Sequence, residues 1–276
     1  MSRTFAVVLF GAMLCGAVSA PADQTWIGGS ADWNLPANWN GGVVPTNESA
    51  LINNGSTVQI LAPSANINWL SINNSIVEVN AGGAIRALGD LDFQGSPTGL
   101  LRINNGGVFT LAGDVIRTGS TIVNAGGIFN VGASDNDSWG RIGNNNATPT
   151  WFTINGGTVN AQYTQGDGLC IGDYFTTTYF TMTPGSQLHM GGKRLNIGWW
   201  NAGVGYLTNI GGAINFDNSG AGLWVGAGHD DINNPARGYL VLGNGASINK
   251  IAEAPPTNWG DLVIGTRFGG SADGNY

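Results

Sequence analysis

The sequence predicts an all-β protein, a right-handed parallel β-helix with about one coil per 20–34 residues. Three observations lead there. Small-residue turns recur along the chain, short apolar triplets ending in glycine recur in step with them, and an aromatic segment precedes each later turn. Composition points the same way: of 276 residues, 46 are glycine and 32 asparagine, while only 10% are charged and 42% are hydrophobic. Glycine and asparagine are poor in helices but accept the positive φ of sharp bends. Ten tryptophans and ten phenylalanines argue against disorder, and the lack of a three-residue glycine period excludes collagen.

The N-terminus sets the compartment. Met1-Ser2-Arg3-Thr4 is a short positive start, Phe5 to Val18 is apolar, and Ala17 to Ala22 is a small-residue zone. This reads as a secretory signal peptide over residues 1–22, too short in its apolar part for a membrane span. Its removal takes Arg3 and leaves a net charge of about −8 from −7. Such a balance disfavours nucleic acid, which needs a basic surface. Beyond the leader only Cys170 remains, so the mature chain has no internal disulfide, and no later segment is long and apolar enough to span a bilayer as a helix. Residues 23–50, with Trp26, Trp33 and Trp39, fall outside the repeat and read as an N-terminal cap.

Residues 51–276 carry the repeats. Turns such as Asn105-Gly106-Gly107, Ala125-Gly126-Gly127 and Asn155-Gly156-Gly157 each lead into a β-branched or apolar residue. Their second small residues, Ser56, Gly83, Gly107, Gly127, Gly157, Ser186, Gly212 and Ala246, are separated by 20–34 residues. That period marks a solenoid, and three strands per unit fits one β-helix coil better than a four-stranded propeller blade of about 40–45 residues. Seven intervals at about 4.8 Å give a rod on the order of 35 Å. The triplets Leu169-Cys170-Ile171-Gly172, Leu195-Asn196-Ile197-Gly198, Leu223-Trp224-Val225-Gly226 and Leu262-Val263-Ile264-Gly265 fix the register. Period-two alternation turns their outer pair inward and sends Cys170, Asn196, Trp224 and Val263 outward. Stacked asparagines are expected to form amide ladders along the axis. The pattern stops at Tyr276 without a charged cap, which reads as a truncated repeat array, with end-to-end self-association as the alternative.

Trp26-Ile27-Gly28-Gly29, the run Asn38-Trp39-Asn40-Gly41-Gly42-Val43-Val44-Pro45 and the glycine-pair and Ile-Gly units resemble secreted bacterial β-solenoid proteins. These include autotransporter-passenger-like repeats and surface proteins bearing a C-terminal sorting signal. The resemblance implies a surface, matrix or adhesion component, often without a known chemistry.

Trp151, Tyr179, Tyr206 and Tyr239 precede four successive turns by six or seven residues. With Phe152, Phe180, Leu207 and Leu240 inward, the four rings form an outward ladder, read either as stabilising stacking or as a platform for sugar rings with Trp224 and Trp199-Trp200 as further surface. Asp90 and Asp114 each follow a glycine, seven residues after Gly83 and Gly107. Stacked on neighbouring coils they would suit Ca²⁺, or the acid and nucleophile of a retaining glycosidase; the alternative is an ordinary Gly-Asp turn. His229, Asp230 and Asp231 offer a metal site or a solvated loop, and Asp135, Asp137 and Trp139 similar loop chemistry. The reading that follows is a secreted surface or matrix structural protein, binding polysaccharide or other surface proteins and needing no cofactor. The alternatives are a polysaccharide lyase or glycoside hydrolase on the same fold, and a filament-forming subunit.

Overall fold

The computed structural model describes residues 23–113, 115–132, 139–144, 148–163, 168–191, 194–200, 202–217, 222–226, 236–250 and 262–264. Every pairing between named strands in it is parallel, and the strands fall into three sheets that run the length of a right-handed β-helix. The first sheet has ten strands, from Gln24–Thr25 to Leu262–Ile264; the second has nine, from Ala31–Asp32 to Arg237–Leu242; the third has seven, from Ala84–Ala87 to Ser247–Lys250. From Leu70 to Lys250 each coil visits the three in turn. Nine spacings in the first sheet at about 4.8 Å make a rod of about 43 Å. This exceeds the length expected from the turns by one strand at each end, Gln24–Thr25 before the first turn and Leu262–Ile264 after the last.

The glycine pair has a physical explanation. Gly106 lies at φ +74°, a conformation that costs other residues strain, and a Cβ on Gly107 would collide with the carbonyl of Val79 on the preceding coil. Where serine takes the second position, as at Ser186, its hydroxyl donates to the equivalent region of the earlier coil, at Ile154 O (2.6 Å). Seven of the eight turn markers lead into the third sheet as expected, one coil per marker. The exception is Asn54-Gly55-Ser56, which leads into Thr57–Ile60 of the second sheet. In that coil the third side is reduced to bridges at Pro63 and Ile67, where proline has no N–H to donate. Coil length therefore ranges more widely than the sequence suggested, from 20 residues between Ala50 and Leu70 to 39 between Leu223 and Leu262.

Inward side chains stack coil on coil. Phe109, Phe129, Phe152 and Phe180 form a continuous buried column with centroid spacings of 5.5, 5.5 and 5.0 Å. Leu169, Leu195 and Leu223, with Ile171, Ile197 and Val225, are buried in register, as alternation required. The amide ladders are present too. Asn104 donates to Asn80 (2.7 Å), Asn124 to Asn104 (2.8 Å) and Asn155 to Asn124 (3.0 Å), with Thr183 donating to Asn155 (3.1 Å). A second run links Asn160 to Asn130 and Asn249 to Asn215, each at 2.9 Å.

The tryptophan-rich segment joins the solenoid rather than standing outside its repeat. Gln24–Thr25 pairs with Ala50–Leu51, and Ala31–Asp32 with Val58–Gln59. Trp26, Trp33 and Trp39 fill the core at this end, with edge-to-face contacts of 5.1 and 4.6 Å on Trp39. Trp39 Nε1 donates to Trp33 O (2.9 Å), which gives one buried indole its partner.

Candidate functional site

The outward face of the second sheet carries the aromatic row in strict register: Trp151 opposite Tyr179, Tyr179 opposite Tyr206, Tyr206 opposite Tyr239. Alternation puts them there because Phe152, Phe180 and Leu207 occupy the core beneath. The ring planes are nearly parallel, 16°, 11° and 7° apart, and their centroids close from 6.2 to 5.1 to 4.5 Å along the rod. Trp151, Tyr179 and Tyr239 remain 37, 40 and 42% exposed. Geometry decides what such rings can do. A ring stacked on both sides has given its two faces to its neighbours, so what it offers to solvent is its edge and, for tyrosine, its hydroxyl. Face-on stacking of a sugar on Tyr179 or Tyr206 is therefore blocked.

Beside this row lies another that the sequence reading overlooked. Thr153, Thr181 and Thr208 stand opposite one another two residues further along each strand, followed by Val241. The signal was present as an aromatic-x-Thr spelling in three of the four units. Among the described residues the hydroxyls of Tyr179, Tyr206, Tyr239, Thr153, Thr181 and Thr208 make no hydrogen bond, whereas the neighbouring asparagine ladder uses its amides internally. The two rows carry no charged side chain over these four coils. Among the described residues, charge in this sheet appears nearer the N-terminus, in Asp32 and the Arg102–Glu78 ion pair, and at the edge, in Arg237.

Trp224 does not belong to this surface. Its outward position on the first sheet is covered, and it is 3% exposed, packed with Cys170 and Trp199 and flanked by Trp200. Trp199 lies 5.8 Å from it, the Arg194 guanidinium sits 4.1 Å from its ring, and Asn196 Nδ2 reaches Cys170 Sγ at 3.5 Å. Alternation sent these side chains away from the coil interior as expected; the following corner then folds Trp199 over them. The same corner holds the buried carboxylate of Asp173 against Arg141 (3.0 Å), and stacks Tyr174 on Trp200 at 5.4 Å.

Asp90 reaches the next coil. Its carboxylate accepts from Val115 N and from Arg117 Nη2, both at 3.1 Å. Asp114 lies outside the described residues, as do Asp135, Asp137 and the His229, Asp230 and Asp231 cluster; Trp139 is described only in its backbone. His189 stands outward between buried Leu188 and Met190, 3.4 Å from Asp217. Among the described residues no group of three metal-ligating side chains occurs, and no helix is long and apolar enough to cross a membrane.

The sequence matches no described protein family and no curated protein. A solved structure, the TibC-catalyzed hyper-glycosylated TibA55-350 fragment, aligns over 88% of this chain and 95% of that chain, at 12% identity. Its TM-score is 0.25. An alignment that loose carries no argument about function.

Proposed function

We propose that the protein is an extracellular structural rod, a surface or matrix component that holds polysaccharide on its second-sheet face. The observation that carries this reading is the set of axial ladders. Stacked aromatics, amide chains and buried phenylalanines each tie one coil to the next, and the outward face of the second sheet repeats an aromatic ring over four successive coils. The leader-like N-terminus supports export, and the low charge supports a neutral ligand over nucleic acid. On the enzymatic alternative, Asp90 would have to work as acid or nucleophile while bound to Arg117 and a backbone amide. The test is to incubate the purified protein with soluble and insoluble polysaccharides. Retention without release of reducing ends or unsaturated sugars is expected; product formation that disappears in Asp114→Ala would establish the enzyme instead.

A further inference from the structure

We propose that the ligand of this face is a neutral, extended β-linked glycan running parallel to the rod axis, one sugar per coil, held by tyrosine and threonine hydroxyls at the ring edges. The inference rests on the polysaccharide reading above and specifies its chemistry.

Four features of the strip select such a ligand. Its rungs repeat at the coil spacing of about 4.8 Å, close to the advance of one pyranose in an extended chain. Its register runs from Trp151 to Tyr239 without a slip, so the strip is straight and fits a straight glycan better than a coiled α-linked one. It has no charged side chain, and the chain as a whole carries −7, which disfavours acidic polysaccharides. The faces of Tyr179 and Tyr206 are already occupied by their neighbours, while the hydroxyls of the strip make no hydrogen bond among the described residues. A sugar seated beside Tyr206, for example, meets that ring's edge and hydroxyl together with the hydroxyl of Thr208, an arrangement that matches the paired hydroxyls and C–H groups of a pyranose rim. Each hydroxyl replaces a water contact with a ligand contact; the paired arrangement stands at Tyr179 with Thr181 and at Tyr206 with Thr208, while the end rungs, Trp151 with Thr153 and Tyr239 with Val241, supply one hydroxyl each.

The experiment measures affinity of the purified protein for β-1,4-linked gluco-oligosaccharides of increasing length, with malto-oligosaccharides and oligogalacturonate as the coiled and charged comparisons. Affinity should rise with length up to about four sugars, the number of rungs, and then level off. The triple variant Tyr179→Phe, Tyr206→Phe, Tyr239→Phe keeps the rings and should keep the unfolding temperature, yet lose roughly ten-fold or more in affinity, since each lost hydrogen bond is worth about two- to ten-fold. Thr181→Val should weaken binding about two- to ten-fold on the same ground. Equal affinity for the coiled or charged glycans, no dependence on length, or an unaltered triple variant overturns the proposal while leaving polysaccharide binding intact. No binding to any of the glycans overturns both.

Discussion

Trp224 and Tyr206 occupy equivalent outward positions on strands of two different sheets, yet one is buried and the other borders water. The strand rule is the same for both: every second side chain leaves the coil interior. What differs is the corner that follows. After Leu195–Ile197 the chain turns at Gly198 (φ +68°) and lays Trp199 across the first sheet, building a second apolar cluster outside the main core. After Val204–Asn209 it enters the tight Gly211-Gly212 turn, fastened by the buried Asn209 amide to Gly212 N and O (2.8 and 3.0 Å), and the second sheet stays uncovered. Outward in a β-helix therefore means away from the axis, and only the loops decide whether it also means exposed.

The two faces should answer mutation differently. Trp224→Ala empties a sealed site and is expected to cost about 3–5 kcal/mol, read as a lower unfolding midpoint in denaturant. Tyr206→Ala removes two stacking contacts from an open face, at about 0.5–1.5 kcal/mol each, and should cost about 1–3 kcal/mol. If the second change proved as costly as the first, the distinction between covered and open faces would fail. Asn124→Ala interrupts the amide ladder at two bonds, an exposed one from Asn155 and a part-buried one to Asn104; a loss of about 1 kcal/mol is expected in the same assay. Smallest of all, Tyr206→Phe keeps the stack and should shift stability by no more than about 0.5 kcal/mol, so any larger change would mean that its hydroxyl is engaged in the folded rod.

Much of the architecture was legible because a coil must satisfy local rules that repeat. Gly82-Gly83 and Gly106-Gly107 mark places where the backbone needs positive φ and then a close approach to the previous coil, and no other residue does both cheaply. The triplets Leu169-Cys170-Ile171 and Leu195-Asn196-Ile197 gave the register because their outer residues share one face. The early coils were harder to place. Ala50 to Leu70 closes a coil in 20 residues with a third side made only of bridges, so its glycine turn sits on a different corner. Trp26, Trp33 and Trp39 were visible as unusual residues, but their strands of two residues each are too short to show alternation. On the outward face of the second sheet the rings stand out in the sequence and the threonines do not, since Thr153, Thr181 and Thr208 also pass as ordinary strand residues. The burial of Trp224 depends on Trp199 folding back from the previous coil's corner, a contact that spacing alone does not encode.

Cys170 offers the most direct test. It is outward by alternation, fully buried in the structure, and the sole cysteine once residues before Asp23 are removed. Labelling the native protein with a small neutral thiol reagent should leave Cys170 unmodified until denaturant unfolds the chain. Rapid modification of the folded protein, at the rate of a free exposed cysteine, would mean that the first sheet is as open as the second and that the account of the two faces is wrong.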